Sequence, residues 1–203
     1  MKKKMNLPNK ITVTRIILSV LCLIMMVIPF YQIGFEWPSF LVLGRIEVDL
    51  KYIVCAIIFI IASLTDFLDG HIARKYNLVT DFGKVMDAIA DKILVNGILI
   101  VLAVDGFIPM AIPVIIITRD TFVDSIKMVA GQSGGKAVGA SIAGKLKTIC
   151  MMTGVSLKLL YNMPFEFLNI QVADALIIIA TILSVVSGVQ YYYNLKDALF
   201  KEM

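Results

Sequence analysis

Asp66-Phe67-Leu68-Asp69-Gly70-His71-Ile72-Ala73-Arg74 and Gly83-Lys84-Val85-Met86-Asp87-Ala88-Ile89-Ala90-Asp91 place four carboxylates inside stretches that otherwise read as membrane-spanning. One Asp at the centre of a spanning helix costs about 2.5–3.5 kcal/mol on translocon scales. Four without partners cost about 10–14 kcal/mol, on the order of a whole domain's net stability. A sequence keeps such a cluster only with compensation, and divalent cations bound through oxygen ligands fit carboxylates best. The two stretches therefore predict a metal site within a membrane protein.

The spacing supports this. On a helix continuing from 52, Asp66, Asp69, Gly70 and Ala73 follow i, i+3, i+4, i+7 and share one stripe. On the next helix Gly83, Asp87 and Asp91 follow i, i+4, i+8 and share another. Gly70, Ala73 and Gly83 carry almost no side-chain bulk, so the two helices can approach closely beside the acids. Two carboxylates from each would then enclose one or two hard cations, with Arg74 one turn away to meet a phosphate in a bidentate fork. The competing reading is a set of interhelical salt bridges with Arg74, Lys75, Lys84 and Lys92. It absorbs one or two acids but leaves the matching stripes and their glycines unexplained.

The rest of the chain agrees with a membrane setting. Of 203 residues 59% are hydrophobic, and the mean hydropathy is +0.89. Six runs reach the length of about 20 residues needed to span a bilayer: 11–30, 52–74, 82–104, 108–130, 139–161 and 172–195. The expected fold is all-α, a single membrane domain over 1–203 with six transmembrane helices and a short amino-terminal interfacial helix before the first. A spanning barrel is excluded, because the runs lack the required alternation.

Charge placement gives the orientation. Lys2, Lys3, Lys4, Lys10, Arg15, Arg74, Lys75, Lys136, Lys145, Lys147, Lys196 and Lys201 fall on one side, which puts both termini and the acids toward the cytoplasm of a multi-pass cell-membrane protein. The 31–51 connection is read as external, and Trp37 as an interfacial anchor. The amino-terminal run lacks a small-residue cleavage site and is expected to be retained. No basic stripe stands outside this logic, so nucleic acid is not an expected partner. Cys22, Cys55 and Cys150 sit in apolar runs and read as buried thiols rather than a disulfide or metal set.

The pattern Asp66-x2-Asp69-Gly70-x2-Ala73-Arg74-x8-Gly83-x3-Asp87-x3-Asp91 matches the signature of the CDP-alcohol phosphotransferase family at every fixed position, and the chain resembles that family. The resemblance implies a six-helix membrane transferase, usually a homodimer, that displaces CMP from a CDP-linked lipid by attack of a hydroxyl group. It implies that Asp66, Asp69, Asp87 and Asp91 hold two divalent ions, Mg or Mn, and that Asp91 is also the general base. It further implies a nucleotide site at Asp69, Gly70, Ala73, Arg74 and Gly83, with Asn77 nearby and His71 a bystander. A two-metal centre over a diphosphate suits such a displacement chemically.

The signature speaks to the donor half of the reaction, a CDP-linked lipid read here as CDP-diacylglycerol, and leaves the acceptor open. Asn6-Leu7-Pro8-Asn9-Lys10-Ile11-Thr12-Val13-Thr14-Arg15 is similar to the opening of members that use glycerol 3-phosphate, and implies Asn9 and Thr12 as cytidine-side contacts. Thr118-Arg119-Asp120 and Gly144-Lys145-Leu146-Lys147-Thr148 resemble the same branch, although many of its members carry Glu where this chain has Asp120. An Arg inside a span needs an anion. A phosphorylated acceptor held by Arg119, Lys145 and Lys147 would supply one. In the alternative, Asp120 and Asp124 pair with Arg119 and Lys127. Inositol phosphate, serine and phosphatidylglycerol stand as other acceptors, and a divalent-cation transporter as a different class.

Overall fold

The computed structural model describes residues 7–76, 80–132 and 141–199. Six long helices carry the fold: α1 (Leu7–Val27), α2 (Leu50–Lys75), α3 (Asp81–Val104), α4 (Ala111–Gln132), α5 (Ile142–Leu159) and α6 (Val172–Leu199). They coincide with the six apolar runs to within four residues at each end. At the amino end the expected pair of elements is one. Pro8 lies in the first turn of α1, where its missing N–H leaves no helix bond unmade. The interfacial segment and the first apolar run are thus a single uninterrupted helix.

The 31–51 connection is more ordered than its sequence suggests. After a 3-10 helix at Phe30–Ile33, strands β1 (Ser39–Val42) and β2 (Ile46–Asp49) form an antiparallel hairpin with Ser39 opposite Asp49. Leu43 and Gly44 both have positive φ, as the tight turn between the strands requires.

The helices form two groups of three. α1 packs on α2 and α3, α6 packs on α4 and α5, and the α2–α5 and α3–α4 contacts join the groups. Phe59, Ile98, Leu99, Leu102, Ile116, Leu159 and Ile177 are fully buried where the groups meet. Cys22 and Cys55 are buried free thiols with their Sγ atoms 2.9 Å apart. At the end where α1 and α3 finish, Tyr52, Phe107 and Tyr161 stack mutually at 4.8–5.7 Å. There Tyr52 Oη donates to Asp105 at 2.5 Å, and Tyr161 Oη accepts from the Asp49 amide at 3.0 Å.

The outside of the bundle carries many large apolar side chains. Ile17, Leu21 and Ile24 on α1, Val114 and Phe122 on α4, and Ile178, Ile182 and Val185 on α6 are all exposed. Apolar surface on this scale belongs against lipid or another protein. Among the described residues two helical segments, Asn9–Val27 and Val172–Lys196, are long, apolar and uncharged enough to cross a membrane.

α5 and α6 approach most closely at Gly154. A Cβ there would stand 2.9 Å from Ile177 Cγ1 and 3.2 Å from the Ile177 backbone nitrogen. Gly154→Leu is expected to destabilise the protein by about 1–3 kcal/mol through overpacking. Ile182→Ala, on the exposed face of α6, is expected to change little. Thermal melts of the detergent-solubilised variants check both.

Candidate active site

Arg15 sits at the centre of the carboxylate cluster. Its side chain is 3% exposed, and its Nη1 donates to Asp66 of α2 while its Nη2 donates to Asp87 of α3. Two nitrogens of one planar fork thus join two carboxylates from different helices, an arrangement a lysine ammonium cannot reproduce with the same geometry. Arg15 Nε is buried without a partner among the described residues. Ser19 Oγ, one turn along α1, donates to the Arg15 carbonyl at 2.7 Å.

Sequence reasoning placed Arg15 only among the orientation charges. The signal was present, since an arginine within an apolar run needs an anion whether it stands at 15 or at 119. The salt-bridge alternative named Arg74, Lys75, Lys84 and Lys92 instead. Of these Lys92 pairs with Asp124 of α4 rather than with the signature acids, and the side chains of Arg74, Lys75 and Lys84 lie outside the described residues.

Asp69, Gly70, Ala73 and Arg74 lie on α2, but their side chains are outside the described residues, as are that of His71 and the whole of Asn77. Gly83 is described, and the space it leaves is filled by Asn9. A Cβ on Gly83 would stand 2.7 Å from Asn9 Oδ1 and 3.0 Å from Thr80 Oγ1. Thr80 caps α3 by accepting from the Gly83 amide at 3.0 Å, and Asn9 Nδ2 donates to the same hydroxyl at 3.2 Å. The start of α1 is thereby fastened over the start of α3. Thr12, one turn on from Asn9, is buried at 4% exposure.

Asp91 follows Asp87 by one turn of α3 and faces a small cleft bounded by α3, α4 and α5. Asn96, Asp120, Lys147 and Thr148 share its walls, and its volume is about 40 Å³. Lys147 Nζ lies 2.7 and 3.0 Å from the two oxygens of Asp120.

The three basic residues expected together are separated in role. Lys147 lines the cleft and Lys145 is exposed on α5 away from its walls. Arg119 turns to α6: its Nε donates to the Ser184 carbonyl at 2.8 Å, Nη2 to Ser187 Oγ at 2.6 Å, and Nη1 to Asp120 at 2.7 Å. Gly188 makes room for it, since a Cβ there would stand 3.1 Å from Arg119 Cγ. Asp120 pairs with Arg119 as the alternative reading had it, whereas Lys127 lies 4.2 Å over the Tyr191 ring and Asp124 takes Lys92.

The donor set suits a hard divalent ion. Asp66 and Asp87 supply carboxylate oxygens and already converge on one shared cation, the Arg15 guanidinium. Among the described residues no third His, Cys, Asp or Glu completes a group with them; the Asp69 side chain is not among those residues.

A family model described as CDP-alcohol phosphatidyltransferase matches residues 5–187. The chain belongs to the CDP-alcohol phosphatidyltransferase family. It is 40% identical over 194 residues to the CDP-diacylglycerol–glycerol-3-phosphate 3-phosphatidyltransferase of Bacillus subtilis (strain 168), covering 96% of this chain and 97% of that one. A Rickettsia typhi relative of the same name is 33% identical over 188 residues, covering 92% and 95%. One from Mycoplasma genitalium is 34% identical over 154 residues, covering 75% and 64%.

Removing the Arg15 guanidinium would leave Asp66 and Asp87 facing each other without their counter-charge. Asp66 and Asp87 are 38% and 44% exposed, so the penalty falls below that of a fully buried pair. Arg15→Gln is expected to destabilise by about 1–3 kcal/mol. Combining it with Asp66→Asn should lose less than the sum of the two single changes, because the carboxylate repulsion is then gone. A double-mutant cycle from thermal or denaturant unfolding measures this directly.

Proposed function

We propose that the protein is a phosphatidylglycerophosphate synthase, transferring the phosphatidyl group of CDP-diacylglycerol to glycerol 3-phosphate with release of CMP, in the route to phosphatidylglycerol and cardiolipin. The observation that carries this reading is the juxtaposition at one end of the bundle. Asp66 and Asp87 meet there, and Asp91 opens one turn away into a cleft that also presents Lys147. The relatives that match nearly end to end carry the name of that activity.

The setting is a multi-pass membrane protein with all six helices as spans, both termini and the acids toward the cytoplasm, acting as a homodimer. The exposed apolar side chains around the bundle support the spans. The lysines and arginines near the acids support the orientation.

The reaction breaks the phosphorus–oxygen bond to CMP and forms one to an acceptor hydroxyl oxygen. Mg or Mn held by Asp66, Asp69, Asp87 and Asp91 would neutralise the diphosphate and the developing charge on the CMP leaving group. Asn9, Thr12, Gly70, Ala73, Arg74 and Gly83 border the side on which the cytidine diphosphate lies. Gly83 does so by admitting Asn9 rather than by leaving an open space.

On the acceptor side, Asp91 takes the hydroxyl proton as the oxygen attacks. Lys147 holds the acceptor's phosphate as a point charge. A cleft of about 40 Å³ holds two or three waters, which is less than glycerol 3-phosphate needs. Entry of the acceptor therefore separates Lys147 from Asp120, and the incoming phosphate replaces one anion by another. Arg119 keeps α6 against α4 behind this exchange and shares Asp120 with Lys147. Lys145 contributes to the positive field at the cleft mouth.

Purified protein in detergent with CDP-diacylglycerol and Mg or Mn should release CMP when offered glycerol 3-phosphate, and not with serine or inositol phosphate. Release only with another acceptor would overturn the assignment of Lys147 while keeping the transferase. No release with any acceptor would overturn the transferase.

Two substitutions divide the roles. Asp91→Asn should abolish CMP release while Mn still binds, as read by paramagnetic resonance. Lys147→Ala should raise the KM for glycerol 3-phosphate at least tenfold and leave that for CDP-diacylglycerol nearly unchanged. An equal rise in both would remove Lys147 from the acceptor phosphate.

A further inference from the structure

The end of the bundle opposite the acids holds a second cavity that the transferase reaction does not use. Along α3 it lies about 27 Å from Asp87, at 1.5 Å per residue. Its volume is about 350 Å³, within the range of small-ligand sites. Three kinds of group line it: a wall of Phe30, Phe35 and Trp37, the carboxylates of Glu36, Asp49 and Asp105, and the ammonium of Lys51.

The aromatic wall is closed rather than open. Phe30, Phe35 and Trp37 meet edge to face at 5.3–5.8 Å, so their ring faces are largely engaged with one another. Such a wall bounds a site without forming an open cage for a quaternary ammonium. The carboxylates are hydrogen-bond acceptors, which select a cation that still carries N–H donors. Three acids against one lysine leave an excess of negative charge in the lining.

A separate observation calls for the opposite partner. Trp37 Nε1 is buried and has no acceptor among the described residues. An indole N–H only donates, so what completes it is an oxygen, and Lys51 in the same lining favours an anionic one. A ligand with a primary ammonium and a phosphate on one short stem satisfies both demands. The approach to the cavity says where the rest of such a ligand lies. Ile17, Leu21, Ile24 and Val27 are each about half exposed or more on one face of α1. They descend from the cavity's rim, where Val27 and Ile28 are lining residues.

We infer that this cavity binds the headgroup of an amine-bearing phospholipid of the phosphatidylethanolamine type, its ammonium among Glu36, Asp49 and Asp105 and its phosphate toward Trp37 and Lys51. The acyl chains run along the exposed α1 stripe. The inference rests on the membrane setting proposed above but not on the acceptor or the reaction.

Trp37 is the chain's single Trp, so tryptophan emission, excited at wavelengths beyond tyrosine absorption, reports this cavity. Detergent-purified full-length protein would be titrated with dihexanoyl phosphatidylethanolamine, phosphatidylcholine and phosphatidylglycerol, and with free phosphoethanolamine. A saturable emission change is expected with phosphatidylethanolamine, at least tenfold weaker with the other two lipids. Glu36→Gln combined with Asp49→Asn should weaken it at least tenfold, while CMP release by the same preparation stays at the parent's level. An equal response to phosphatidylglycerol, or one untouched by the double substitution, overturns the ammonium site. Phosphoethanolamine binding as tightly as the lipid overturns the lipid source. Should the double variant fail to fold, native mass spectrometry of the parent from mixed vesicles decides, with preferential retention of phosphatidylethanolamine expected and none overturning the site. CMP release in the same samples reports the transferase reading independently.

Discussion

Negative charge held inside an apolar bundle is the constraint on which the rest of this structure depends. A carboxylate in such surroundings must be neutralised where it stands. Asp66 and Asp87 reach that condition through a third helix, since α1 carries Arg15 to the point where α2 and α3 face each other. The same contact explains why the beginning of α1 is fixed over the beginning of α3. Asn9 and Thr80 bond across that junction, and Gly83 has no side chain to prevent it. A ligand that brings divalent charge to the acids competes with the guanidinium, so the residue that stabilises the cluster also sets how strongly a metal must bind to enter it.

Much of this was legible in the sequence because its causes are local. Helix spans follow from runs of apolar residues and from turn signals, which is why six runs and six helices coincide. The pairing of α2 with α3 acids follows from helical periodicity and from fixed gaps in the signature. What stayed hidden depends on tertiary geometry. The hairpin at Ser39–Asp49 is too short and too exposed to leave a strong alternation. Arg15 looked like one more inside charge because its partners lie 51 and 72 residues away. Arg119 looked like an anion receptor, and nothing local reveals that Ser184 and Ser187 of α6 wrap it.

The second group of helices supplies rigidity to a cleft whose walls come from three elements. Arg119 joins α4 to α6, and Asp174 of α6 holds Lys158 of α5 at 2.6 Å. Asn162 ties the α5–α6 turn by accepting from the Ala173 amide and donating to the Ile170 carbonyl. These bonds join α6 to α4 near its middle and to α5 and the α5–α6 turn at its start. Lys147 adds a further tie, since its ammonium bridges α5 to Asp120 of α4.

That framework explains the strongest chemical feature of the cleft, the ion pair between Lys147 and Asp120. An ammonium in a small enclosed space keeps its charge only beside an anion. Asp120 supplies that anion while being shared with Arg119, so its hold on Lys147 is divided. Were a phosphorylated alcohol to enter as proposed, Asp120 would retain Arg119 as a partner and Lys147 would gain a more highly charged one. Neither step strands a buried charge. A neutral alcohol offers no such exchange and would have to fit beside an intact pair. On the acceptor role proposed for Lys147, selectivity for a charged alcohol would reside in the sharing of Asp120 as much as in the lysine itself.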